Sequence, residues 1–242
     1  MKRSDFPLPY TTGLVDLNSE GAYADQGMTL RNYPRFMPTP YKSIAPREDR
    51  LVLEPWRKNM KLYPQIYFLL SRDVPVRDTN PESVVLAVGM GLGSSDDGVV
   101  AASPDPAPRD RHMCYWYSLY SDSSQLLSQE MKEIADPRQL KITLESPTLG
   151  TYVFDQGKLQ YAPEELVREM NHLIPFKKYD LVSLGAADQP IELPIHKILP
   201  PGEVITLTCP QLGRLEIAVE DNRDPNTVMR GWSPRPYFLE TN

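Results

Sequence analysis

Five side chains in the middle of this chain are of the types that do acid/base or metal chemistry: Glu82, Asp96, Asp97, His112 and Asp122. A carboxylate beside a histidine supports general acid/base catalysis, and several carboxylates together hold a hard cation such as Mg²⁺ or Mn²⁺. Asp96 and Asp97 fall in the run GSSDDG (93–98), which is dense in turn formers and reads as a hairpin turn. Asp122 either enters a pocket or caps a helix beginning at Ser123. His112 opens an aromatic strand and could reach a cleft as an acid/base group. His172 and His196 are too scattered to form a metal set with it, and read as a helix flank and a loop.

Two further patterns invite a functional reading. Glycine amides cradle phosphate where a loop opens a helix, but nothing helical follows GMGLG (89–93), so this run reads as a strand end before a hairpin. In CYWYSLY (114–120) alternate residues share a face, which puts Tyr115, Tyr117 and Leu119 together; such a strip reads either as core plus a dimer face or, with Tyr117 offering its hydroxyl to a ligand, as one wall of a pocket.

The elements that must position these groups are mostly strands. The chain has 242 residues, 40% of them hydrophobic, enough for one sizeable core. Its net charge of -6 argues against a nucleic-acid backbone or an anionic membrane as the main partner. No apolar run approaches a membrane span, and MKRSDFPLPY lacks the apolar segment of a secretory signal, so a cytoplasmic location is expected. Cys114 and Cys209 lie far apart without CxxC spacing and read as buried free thiols.

The 25 prolines crowd the beginning, the loop 103–108 and the tail. Residues 1–62 therefore read as an irregular segment packed on the core, 63–221 as the domain proper, and 222–242 as a proline-rich tail. Within the domain, strands are expected over QIYFLL (65–70), SVVLAVGMGLG (83–93), LKITLES (140–146), DLVSLG (180–185), VITLTC (204–209) and LEIAVE (215–220). One helix is expected over Ser123 to Ile134. Another opens at Pro163 with Glu164 and Glu165 in its first turn, and sets Leu166, Met170 and Leu173 on one buried face. Strands with two inserted helices and no regular βα alternation predict an α+β, mainly β fold.

The run 164–221 resembles the closing segment of the fumarylacetoacetate hydrolase family. EELVREMNHLIPFKKYDLVSLGA gives a helix opening with EEL and then a D-[LIV]-[LIV]-x-x-G strand. LPPGEVITLTCPQLGRLEIAVED then gives L-x-P-G-[DE]-x-[LIV] and a strand containing L-G-x-L. The resemblance implies a mixed β-sandwich roll, a homodimer, and action on a 2-oxo acid or 1,3-dicarbonyl compound by C–C cleavage, decarboxylation, isomerisation or cyclisation. In that chemistry a chelated divalent metal stabilises the enolate.

Residue by residue, WYSLYSDSSQLLSQ (116–129) is similar to the family's N-D-x-[ST]-A-R-D-x-Q pattern, which sets Asp122 at the metal aspartate and Gln129 at a pocket glutamine. Gly185 and Ala186, at the end of the D-[LIV]-[LIV]-x-x-G strand, join Gln129 and Tyr117 as substrate-binding residues. LYPQIYFLLSRDVPV (62–76) resembles the P-x-x-F-x-K-P strand, with Leu70 where lysine is usual. SVVLAVG (83–89) resembles the strand whose E-x-E start supplies two metal carboxylates, but Pro81 and Ser83 stand in those places and Glu82 between them. One aspartate holds a hard cation poorly, so metal dependence is expected to be weakened or lost. The His-x-x-Glu dyad and the glycine-rich loop after the site helix are missing. Asp122, His112 and Glu82 remain as catalytic candidates, and an inactive binding or structural subunit is the alternative.

Overall fold

The computed structural model describes residues 1–2, 5–7, 9, 12–15, 18–25, 36–39, 44–45, 50–78, 83–96 and 125–227. The first elements in chain order are β1 (Thr12–Val15), α1 (Glu20–Asp25), β2 (Phe36–Thr39), β3 (Ile44–Ala45), β4 (Arg50–Leu53), β5 (Met60–Leu70), β6 (Val85–Asp96) and β7 (Gln125–Leu127). They are followed by β8 (Lys141–Ser146), β9 (Gly150–Asp155), α2 (Pro163–Met170), β10 (Leu181–Ala186), β11 (Ile191–Leu193), β12 (Val204–Cys209) and β13 (Gly213–Asp221).

These strands form two sheets. One runs β2-β1-β10-β5-β6-β7-β3, with β11 also paired to β5; the other runs β4-β13-β12-β8-β9. The pairing is mixed: β1 lies parallel to β10 and β4 parallel to β13, while β5, β6 and β7 are antiparallel neighbours. Short strands from the proline-rich segment thus extend both sheets. The architecture is the expected α+β, mainly β sandwich roll.

Strand alternation builds the core between the sheets. Leu62, Ile66, Phe68 and Leu70 of β5 and Val88, Met90 and Leu92 of β6 meet Ile142, Leu144, Ile205, Leu207, Leu215 and Ile217 from the second sheet. Along β13 buried and exposed residues alternate, as a strand with one wet face requires. β10 is buried on both faces. Among the described residues no helix is long and apolar enough to cross a membrane.

Three expectations are corrected. Residues 125–134 are not helical: Gln125–Leu127 pairs antiparallel with Gly91–Gly93, and Lys132 bridges Val88. Sheet pairing outweighs the helix-compatible composition of SQLLSQEM, and the described part of the helix that Asp122 was to cap is absent. β6 does not end at Gly93 but continues to Asp96, which is buried and accepts from the backbone N–H groups of Lys58 and Asn59. Finally, α2 ends at Met170 and its face closes with Leu166, Val167 and Met170, leaving Leu173, beyond the helix end, 84% exposed.

Candidate functional site

The face of β5 turned away from the inter-sheet core carries Tyr63, Gln65, Tyr67 and Leu69, because side chains two apart share a face. Tyr67 and Leu69 cluster with Ala87, Leu127, Met131 and Leu181, and Tyr63 packs with Ala22 and Ala186. Opposite these residues β6 presents glycine: Gly93 pairs with Tyr63, Gly91 with Gln65 and Gly89 with Tyr67. The bare stripe lets the large β5 side chains lie across β6. A Cβ at Gly93 would stand 2.3 Å from Tyr63 Cε2 and 2.5 Å from Gln65 Nε2, distances no methyl tolerates.

Across this stripe the β5 side chains reach Gln125 on β7. Gln65 Nε2 donates to Tyr67 Oη and to Gln125 Oε1, and Tyr67 Oη donates to the same Gln125 oxygen. On the other side Ser183 Oγ of β10 donates to Gln65 Oε1 and accepts from the Gly185 N–H at 2.9 Å. Gln65, Tyr67, Gln125 and Ser183 are all at most 2% exposed. Burial, and then the neighbouring Tyr63, push the Tyr67 hydroxyl well above its ordinary pKa, against the opposing hydrogen bond from Gln65. Tyr67 is therefore a protonated donor at neutral pH. The result is a neutral hydrogen-bonded chain running from β10 across β5 to β7.

The N-terminal segment is fastened beside one end of this chain. Asn18 Nδ2 donates to the Leu184 carbonyl at 2.8 Å, and Ser19 Oγ donates to the Ala186 carbonyl at 2.7 Å. The same Ser19 oxygen accepts from Ala22 N, capping α1. α1 is thereby set against the end of β10, with Ala22 touching the Tyr63 and Ala186 cluster.

Of the residues expected from sequence, Gly185 and Ala186 lie at this end of β10. The Gly185 N–H is engaged by Ser183, and the Ala186 carbonyl by Ser19. Gln129 is half-buried in the bend after β7. Leu70, at the family's lysine position, faces the inter-sheet core instead of the glycine-lined face. Ser83 sits in a turn with φ 56°, and its carbonyl accepts from Ser71 Oγ at 2.7 Å. His172 and His196 are exposed. Glu82, Asp97, His112, Tyr117 and Asp122 lie outside the described residues.

Sequence reasoning missed Gln65, Tyr67, Gln125 and Ser183. The available signal was the two-residue spacing of Gly89, Gly91 and Gly93 inside a strand, beside a glutamine in the otherwise apolar QIYFLL.

A divalent metal does not fit the described residues. No group of three or more His, Cys, Asp or Glu side chains converges among them, and the buried polar face is built from neutral amides and hydroxyls. Mg²⁺ and Mn²⁺ prefer anionic oxygen.

No protein-family model and no curated protein matches the sequence. Solved structures do match its fold. Fumarylpyruvate hydrolase from Pseudomonas aeruginosa, solved with Mn²⁺ and pyruvate, is 17% identical with a TM-score of 0.68, covering 88% of this chain and 90% of its own. The 2-hydroxyhepta-2,4-diene-1,7-dioate isomerase from Mycobacterium marinum is 13% identical, TM-score 0.69, covering 90% and 76%. The 5-carboxymethyl-2-hydroxymuconate delta-isomerase from Mycobacterium smegmatis is 14% identical, TM-score 0.67, covering 90% and 80%.

Proposed function

Starting from the fumarylacetoacetate hydrolase-type fold that this chain carries, we propose that it acts on a small 2-oxo acid or 1,3-dicarbonyl compound. The reaction class is C–C cleavage, decarboxylation, isomerisation or cyclisation, with the contribution of a divalent metal weakened or lost. The observation that carries this reading is the buried neutral network Ser183–Gln65–Tyr67–Gln125, beside the end of β10 that holds Gly185 and Ala186. A neutral donor held fixed by such a network in a water-poor site polarises a carbonyl and stabilises the enol that forms from it. In this reading Asp122, His112 and Glu82 supply acid/base chemistry, Gln129, Tyr117, Gly185 and Ala186 bind substrate, and the protein works as a cytoplasmic homodimer.

The lack of a carboxylate trio among the described residues favours a second reading, an inactive subunit that binds the same ligands without turnover. Thermal melts of the full chain with pyruvate, oxaloacetate and acetylacetone, each with Mn²⁺, Mg²⁺ or EDTA, test both. A ligand that binds only the folded state raises the melting temperature. Stabilisation with consumption of the ligand supports the enzyme, and stabilisation without consumption supports the inactive subunit. If no ligand raises the melting temperature under any metal condition, the small-molecule reading is wrong.

A further inference from the structure

Side-chain amides are told apart by the partners they face, and here the partners determine both glutamines. The Gly185 N–H can only donate, so Ser183 Oγ accepts there and its own hydrogen goes to the carbonyl end of Gln65. Gln65 then directs its two N–H groups to Tyr67 Oη and Gln125 Oε1, and the Tyr67 hydrogen also goes to Gln125 Oε1. Every polar hydrogen of Ser183, Gln65 and Tyr67 is matched. Turning both amides over would strand the Ser183 hydroxyl, one Gln65 N–H and the Gln125 carbonyl in a buried site. The observed arrangement is the one polar satisfaction selects.

What this arrangement leaves over is the Gln125 amide nitrogen. Gln125 is 1% exposed, and its Nε2 has no hydrogen-bond partner among the described residues. A buried amide donor without an acceptor is a standing demand for one. The network that fixes this donor is neutral, so a carboxylate accepted here would bring in an uncompensated charge, whereas a keto oxygen brings acceptor lone pairs and no charge.

We infer that the Gln125 side-chain amide is the specificity-determining donor of this site, taking the keto oxygen of a 2-oxo or 1,3-dicarbonyl ligand, with Gln65, Tyr67 and Ser183 as the positioning residues that aim it. This rests on the small-molecule reading above and adds to it which atom of the ligand is read and by what.

The test titrates the full chain with acetylacetone and, separately, with pyruvate, with and without Mn²⁺, following binding by calorimetry. Gln125→Glu keeps an acceptor for Gln65 and Tyr67 but has no spare N–H, and Gln125→Met removes the polar group at similar length. Both variants are expected to bind about tenfold more weakly or worse, the loss of one buried donor. Wild-type binding that persists unchanged in both variants overturns the role of Gln125 and leaves the small-molecule reading standing. Failure of the wild type to bind either probe overturns that reading, and the inference with it. If the variants do not fold, wild-type protein labelled with ¹⁵N-glutamine and with the Gln125 side-chain amide assigned decides the matter: that amide pair moves when a probe is added, and its failure to move overturns the inference.

Discussion

Gly91 of β6 lies beneath Tyr67 of β5, so close that a Cβ there would stand 2.6 Å from Tyr67 Cε2 and 2.3 Å from the Leu126 carbonyl oxygen. The second contact is with backbone held by the β6–β7 pairing, so it cannot turn aside as a flexible side chain would. Gly91→Ala is therefore expected to destabilise the protein by about 1–3 kcal/mol, the usual range for overpacking, in urea unfolding. It should also weaken ligand binding, because Tyr67 and Gln65 can no longer lie across β6. The nearest described atoms to a Cβ at Gly89 are those of the Met131 side chain and the Glu130 carbonyl oxygen, at 3.3 Å or more, so Gly89→Ala should be milder.

The buried Tyr67 hydroxyl gives a pH signature. Its pKa is raised in the folded protein, chiefly by burial, while in the unfolded chain it ionises near its ordinary value of 10. The folded state thus retains a proton that the unfolded state loses, and stability falls as pH rises above about 10 towards the folded value. Unfolding free energies measured at intervals from pH 9 to 11 should decline less steeply in Tyr67→Phe than in the wild type. Equal slopes would mean that Tyr67 ionises as freely folded as unfolded. At neutral pH the same substitution should cost about 1 kcal/mol, since one Gln65 N–H loses its acceptor.

Glu203, in the turn motif L-x-P-G-[DE], shows why that motif ends in a carboxylate. Burial opposes its charge, but hydrogen bonds from Ser146 Oγ, the Thr148 N–H and Thr148 Oγ1 outweigh burial and hold its pKa below the usual range. The clip ties the β8–β9 turn to the start of β12. A depressed carboxyl stabilises the fold above its unfolded pKa, near 4.3, and that contribution is lost as pH falls through the lower folded value. Glu203→Gln should cost about 1–3 kcal/mol at pH 7 and flatten the acid limb of the stability curve. An acid limb identical to the wild type would place the titration elsewhere.

The last third of the chain was readable because its signals are local. β12 matches the expected strand at Val204–Cys209, and β10 and β13 contain the strands expected at DLVSLG and LEIAVE apart from Asp180, since each alternates or runs apolar between turn residues such as Pro201–Gly202. Leu173 was misplaced because helical periodicity does not say where a helix stops; Asn171 closes α2 and its Nδ2 donates to the Asp78 carbonyl. The strand at Gln125–Leu127 was hidden for the opposite reason: its conformation comes from pairing with Gly91–Gly93, residues more than thirty positions earlier. The polar network inherits that difficulty. Its members come from β5, β7 and β10, and only the Gly89, Gly91, Gly93 spacing on β6 records in the sequence that one face must stay bare.

Asp221 and Arg223 form a buried pair at the end of β13, with side chains 1% and 0% exposed. Arg223 Nε and Nη2 each donate to the carboxylate at 2.8 Å, Nη1 donates to the Leu193 carbonyl at 2.7 Å, and Nη2 donates also to the Lys197 carbonyl at 2.8 Å. Asp221 in turn accepts from the Leu199 N–H at 2.9 Å. The pair therefore pins the loop after β11 to the end of β13, and its carboxylate is shut off from solvent. Arg223→Met is expected to cost about 3–5 kcal/mol in urea unfolding, most of it from the charge left uncompensated on Asp221. If that is the cause, adding Asp221→Asn to Arg223→Met should recover part of the loss, because the stranded charge is gone while the Leu199 N–H still finds an acceptor. A double variant as unstable as the sum of the two singles would show instead that the loop is held by the Arg223 contacts to Leu193 and Lys197, and that the ion pair itself contributes little.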